Sequence, residues 1–179
     1  MEQPQEGSRP QLDNDIIDFA QRVFGYVRTG NVEAMSQFLT RGLPPNLRND
    51  KGDSLLMLAS YHGQYEVTRL LLDHGADPEL ANDRGQTPLG GAAFKGDIDI
   101  ITLMLDKGAK VDGCGPDGRT GLMLAAMFNR VEIVDLLLAR GANPETRDVS
   151  GMTAAALALG MGAQDTPARL AAAQSTLTP

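Results

Sequence analysis

The sequence predicts an all-α solenoid of about five helix–turn–helix units joined by β-hairpin-like turns, with degenerate terminal caps. Three observations carry this. First, the stretch 83–115 overlays 50–82 and 116–148 at a shift of 33 residues, without insertion or deletion. Second, glycines recur in register: Gly52, Gly85, Gly118 and Gly151; Gly42, Gly75, Gly108 and Gly141; Gly30, Gly63, Gly96 and Gly162, this last column broken only by Asn129. Third, small residues keep the same phase, with hydroxyls at Ser54, Thr87, Thr120 and Thr153 and alanines at Ala59, Ala92, Ala125 and Ala158. A period of this length is the mark of a solenoid.

Each unit explains its own local structure. In 64–74, Val67, Leu70, Leu71 and the flanking Leu72 form a stripe at helical spacing. Gly75 follows the last turn, where a residue free to take positive φ ends a helix at little cost. In 54–62, Leu55, Leu56, Leu58 and Ala59 predict a shorter first helix, with Gly63 between the two. The Asp and Gly before each pair read as a tight turn, since Asp bonds its own backbone and Gly tolerates the left-handed region. One unit cannot bury its apolar face alone, whereas a stack shares one core.

The unit resembles the ankyrin repeat. Asn82-Asp83-Arg84-Gly85-Gln86-Thr87-Pro88-Leu89 is similar to the family's opening turn and helix start. Val67 to Leu72 with Gly75-Ala76-Asp77, and Ile133 to Leu138 with Gly141-Ala142-Asn143, are similar to its second helix and helix end. The resemblance covers about 17–163. The chain departs from the family in three ways. The histidine after Pro-Leu is replaced by Met57, Gly90, Met123 and Ala156; the hairpin Asn by Glu79, Asp112 and Glu145; and the proline occurs only as Pro88.

Taken in order, residues 1–14 read as a disordered acidic tail, with little to bury. Glu2, Glu6, Asp13 and Asp15 against Arg9 put −3 of the net charge in the first 15 residues and about −4 in the body. An interaction tail is the functional alternative. A single repeat domain spans 15–174, in units of about 17–49, 50–82, 83–115, 116–148 and 149–174. Its first helix starts near Asn14 or Asp15, either a possible cap, with Ile16, Phe19, Ala20, Val23, Phe24 and Val27 as its apolar face. The second runs from about Asn31 to Thr40, burying Val32, Met35, Phe38 and Leu39. The last unit has an alanine-rich first helix ended by Gly162. Thr166-Pro167 reads as cap and first residue of a short helix through Ala173, and 175–179 as a frayed tail.

The totals narrow the function. Aromatics are only 4% and Trp is absent, so the core must come from Leu, Ile, Val, Ala and the 8 methionines. A net charge of −7 argues against nucleic acid or an anionic membrane as partner, since both need basic patches. The longest apolar run, Thr153 to Ala163, falls well short of the ~20 residues of a spanning helix. Residues 1–15 contain no apolar signal-peptide core, and Cys114 is the only cysteine. These features predict a cytoplasmic protein.

No constellation predicts chemistry. His62, His74 and Cys114 lack metal-ligand spacing. Cys114 lies among Gly113, Gly115 and Pro116 in a turn, without an orienting acid. Gly90-Gly91 and Gly113-Cys114-Gly115 lack the strand and GK[ST] ending of a phosphate loop. No catalytic, cofactor or metal site is expected. The alternative is a small-ligand-binding protein or an enzyme using Cys114 or His62.

The resemblance implies a binding surface instead. In the family, the hairpin tips and the ends of the first helices line a concave face. Matched residue by residue, the tips are Asp50, Lys51 and Asp53; Asp83, Arg84 and Gln86; and Pro116, Asp117 and Arg119. The helix ends are Tyr61 and His62; Phe94 and Lys95; Met127 and Phe128; and Gly160 and Met161. Three aromatics fall in these columns, and aromatics with Arg are what interfaces favour. The competing reading is that they pack between first helices as core edges. The expectation is a monomeric, non-enzymatic module for a protein partner. It also resembles small stand-alone bacterial ankyrin proteins, some of which are accessory or stabilising partners of another protein, catalase-type enzymes among them.

Overall fold

A computed structural model describes residues 9–177, and the side chains of 14–173. Among the described residues ten helices run α1 (Arg9–Thr29), α2 (Val32–Thr40), α3 (Leu55–Tyr61), α4 (Tyr65–Asp73), α5 (Pro88–Lys95), α6 (Ile98–Asp106), α7 (Gly121–Met127), α8 (Val131–Ala139), α9 (Ala154–Gly160) and α10 (Thr166–Leu177). Odd-numbered helices stack side by side as one layer and the even-numbered ones lie behind them. The hairpin-like character of the tips is local: isolated antiparallel bridges join Arg48 to Ser54 and Cys114 to Thr120. Among the described residues no helix is long and apolar enough to cross a membrane.

The residue columns have separate mechanical roles. Ser54, Thr87, Thr120 and Thr153 cap α3, α5, α7 and α9, their hydroxyls accepting from the backbone N–H of Met57, Gly90, Met123 and Ala156. Such a cap contributes about 1 kcal/mol. Ala59, Ala92, Ala125 and Ala158 are fully buried where the first helices abut; a larger side chain would push the layers apart. Behind them Val67, Leu71, Ile100, Met104, Val134 and Leu137 are fully buried and make the core continuous from unit to unit.

Hydrogen bonds between units follow the same period. Asn46 Oδ1 accepts from Asp77 N, Glu79 Oε1 from Lys110 N and Asp112 Oδ1 from Asn143 N, each 31 residues ahead. Replacing the family's Asn by an acid therefore keeps the bond, because only the acceptor oxygen is used. On the back of the solenoid Asp73 pairs with Lys107, Asp106 with Arg140 and Asp135 with Arg169. These exposed pairs contribute little individually.

Asn129 explains its own break in the glycine column. It takes φ +54° itself, as Asn can. Its Oδ1 accepts from Asp165 N at 3.0 Å and Thr166 N at 3.2 Å, and its Nδ2 donates to Asp165 Oδ2 at 2.8 Å. A glycine there could not hold the start of α10.

The ends differ from expectation. Among the described residues helix α1 spans Arg9–Thr29, so 9–14 are helical where a tail with a cap at Asn14 or Asp15 was expected. Residues 1–8 of the expected tail lie outside the described residues. Val23 and Val27 are fully buried, but Ile16 is 58% exposed. At 21 residues, α1 outruns the 7 to 9 residues of the helices that could cover it. Val32, expected to be buried, is exposed, while Met35 and Leu39 are buried and Phe38 half-buried. Helix α10 runs to Leu177 rather than Ala173, with no Gly or Pro between Pro167 and Leu177 to stop it. Residues 178–179 lie outside the described residues. Thr166 is the first residue of α10, and its hydroxyl donates to the Ala126 carbonyl at 2.8 Å instead of capping. The last unit also exposes Val149, Leu159 and Met161.

Candidate functional site

The candidate surface is formed by the tips and by the C-terminal ends of α3, α5 and α7. The turn residue that organises each tip stands just before the expected Asp. Asn49 Oδ1 accepts from Lys51 N and Asp53 N, Asn82 Oδ1 from Arg84 N and Gln86 N, and Asp148 Oδ1 from Ser150 N and Met152 N. In the fourth unit this position is Gly115, and Asp117 Oδ1 takes over the bond to Arg119 N. Gly115 is obligatory: a Cβ there would collide with the backbone of Gly85 in the neighbouring tip. Backbone bonds tie tip to tip from Asp83 N to Lys51 O and from Val149 N to Asp117 O. Pro116, lacking an N–H, cannot make the matching bond.

Several tip side chains are committed internally. Asp53 accepts from Asn82 Nδ2 at 2.7 Å and from Asn49 Nδ2 at 3.2 Å, linking two tips. Asp83 binds Arg48 at 2.9 Å. Gln86 accepts from Asn82 Nδ2. Arg119 lies 3.9 Å from Asp117 and 3.8 Å from Asp148, which is buried. Asp50, Lys51 and Arg84 are exposed. Lys51 and Arg84 form no ion pair among the described residues.

The aromatic residues form one connected strip. Tyr61 and Phe94 stack at 6.3 Å with planes 6° apart, and Phe94 meets Phe128 edge-on at 4.6 Å. Lys95 Nζ lies 5.1 Å over the Tyr61 ring, and the His62 ring stands edge-on to Tyr61 at 5.6 Å. Tyr61 and Phe128 are 38% and 37% exposed, whereas Phe94 between them is half-buried. The strip is thus both surface and core edge. Met127 is half-buried; Met161 is exposed in the last unit.

A pocket of about 340 Å³ opens beside the strip. It gathers Lys51, Asp53, Tyr61, His62, Arg84, Gln86 and Phe94 of the expected residues, leaving Asp50, Asp83, Lys95, Asp117, Arg119, Met127, Phe128 and Met161 outside. It also uses Met57, Leu58, Asn82, Gly90, Gly91 and Leu124, which the column reading missed. A signal was present: Gly90-Gly91 stands where neighbouring units carry Met57-Leu58 and Met123-Leu124. Cys114 is exposed at the base of its turn and does not line this pocket. No group of three or more His, Cys, Asp or Glu among the described residues is placed to hold a metal.

Comparison with known proteins agrees with this architecture. A family model described as ankyrin repeats in three copies matches residues 24–113, and one described as an ankyrin repeat matches 117–149. An ankyrin repeat protein of Pseudomonas aeruginosa is 52% identical over 65 residues, which is 36% of this chain and 38% of the relative's length. With half of its length matched by the first model alone, and the 33-residue unit visible in helices, caps and tips, the chain belongs to the ankyrin-repeat family.

Proposed function

We propose that this chain is a non-enzymatic interaction module that binds a partner protein through its concave face and tips. Ankyrin repeats generally mediate protein–protein interaction. The observation that carries the reading here is the connected strip Tyr61–Phe94–Phe128, flanked by Lys95 and the exposed Arg84. Its rings are held by one another and by rigid helices, so little side-chain freedom remains to be lost on binding. The net charge of −7 favours a protein over nucleic acid or an anionic membrane. An accessory or stabilising role toward that partner, as a cytoplasmic monomer, is part of the same proposal.

The test is affinity capture from source lysate, with bound proteins identified by mass spectrometry. Phe128→Ala should weaken capture by about 30-fold, the equivalent of a ~2 kcal/mol hot spot. Its stability should fall by about 1–3 kcal/mol, from one edge-on ring contact and the partly buried ring area. Phe94→Ala should cost binding and also about 2–4 kcal/mol of stability, because it loses two ring contacts and more buried area. Undiminished capture by a folded Phe128→Ala protein would refute the strip as the binding surface.

A further inference from the structure

The third unit is missing two side chains that its neighbours carry in α3 and α7. Gly90 and Gly91 form part of the pocket lining, where Met57-Leu58 and Met123-Leu124 occupy the matching positions. Gly91 has room for a methyl group without collision: a Cβ built there would make ordinary contacts, 3.6 Å from Met57 Sδ and 3.7 Å from Tyr61 Cδ2. The walls are apolar, from Met57, Tyr61, Phe94 and Leu124. The rim is not. Lys51 and Arg84 stand there uncommitted, while the rim carboxylate, Asp53, is held by Asn82 and Asn49. The rim therefore carries one net positive charge, Lys51 and Arg84 against Asp53, over apolar walls.

We propose that this pocket seats one apolar side chain from a segment of a partner protein, with an adjacent carboxylate of that segment meeting Lys51 and Arg84. The inference rests on the interaction reading above and deepens it. Two features favour a protein segment. The pocket shares Tyr61 and Phe94 with the aromatic strip, so one chain could cross both. Its volume lies at the small end of the range for sites that enclose a whole small molecule. An anchor side chain desolvated in a pocket, with charge at the rim, is how interface hot spots are built. The paired glycines weaken α5, and folding gains nothing from the missing methyl at Gly91.

The probe is a set of acetylated, amidated peptides with a central Leu or Phe flanked by Glu, beside versions with Lys flanks or a central Ser. Binding is read from the methyl resonances of Met57 and Leu124 by NMR titration. The Glu-flanked apolar peptides should shift both methyls. Affinity should drop at least about tenfold with Lys flanks, with central Ser, in Gly91→Leu and in the pair Lys51→Glu with Arg84→Glu. Gly91→Ala, which fits without collision, should melt higher yet bind more weakly; a purely structural glycine would not show that opposition. Four results would overturn the proposal: indifference to flank charge, undiminished binding by Gly91→Leu and Gly91→Ala, equal affinity for free N-acetyl-leucine, or methyl shifts that follow protein concentration alone. If Gly91→Leu captures the lysate partner normally while Phe128→Ala does not, the pocket proposal fails and the interaction module stands. If neither variant loses capture, both fail.

Discussion

Alanine substitution at Gly90 and Gly91 should have opposite consequences, although the residues are adjacent in α5. At Gly91 the new methyl meets Met57 Sδ and Tyr61 Cδ2 at 3.6 and 3.7 Å, ordinary contact distances. Alanine gains roughly 0.5–1 kcal/mol of helix propensity, and partial burial of the methyl adds up to ~0.5 kcal/mol, giving about 1 kcal/mol of stabilisation. At Gly90 the same methyl would lie 2.9 Å from Leu124 Cδ1 of the next unit. The nearby Thr87 hydroxyl is not decisive, since Met57, Met123 and Ala156 carry a Cβ under equivalent caps. Leu124 has to move. Overpacking costs ~1–3 kcal/mol, toward the low end for a half-buried leucine with room to turn. The propensity gain is cancelled or outweighed, so the two variants should differ by about 1 kcal/mol or more. Urea and thermal melts of both proteins measure this, at about 2–4 °C per kcal/mol for a chain of this size. Amide exchange in α5 separates a local from a global effect, since repeat arrays can open unit by unit. Equal stabilisation by both alanines would refute the close approach of Leu124; loss of stability at Gly91 would refute the space beside it.

Other expectations follow from single residues. Thr68 is fully buried and its hydroxyl has no hydrogen bond among the described residues, in a column otherwise filled by Met35, Ile101 and Val134; Thr68→Val should raise stability by roughly 1–2 kcal/mol in urea melts, and a loss would mean the hydroxyl has a partner. Asn129→Ala should be less stable than Asn129→Gly by about 1–2 kcal/mol, because both lose the bonds to Asp165 and Thr166 but only alanine is strained at positive φ; equal melting would remove the strain argument. The hydrogen bond from Lys107 holds the Asp73 carboxyl below its ordinary value, against a smaller opposing effect of desolvation. Its contribution is therefore present above the unfolded carboxylate value and lost as pH falls through the lowered folded one, so wild type should lose stability in acid more steeply than Asp73→Asn. Parallel acid limbs would show that this exposed pair contributes nothing.

The repeat and its helices were determined by the sequence alone, because their causes are local. A capping hydroxyl three residues before the N–H it accepts from, an apolar stripe at helical spacing and a glycine after the last turn act within one unit, and the 33-residue period repeats them. The aromatic columns came from the family resemblance, matched position by position onto the repeat. The tertiary structure decided what lies between units. Asp53 was expected among the tip residues of the binding surface, and Asn82, 29 residues on, binds it. Asn129 looked like a lapse in the glycine column until its amide was found on the start of α10. Gly90-Gly91 became part of a pocket only because Leu124, Met57 and Tyr61 arrive from the adjacent units. A period states that positions are equivalent. Which atoms meet across the unit boundary depends on side-chain length and rotamer in a close-packed stack, where a distance of half an ångström separates contact from collision.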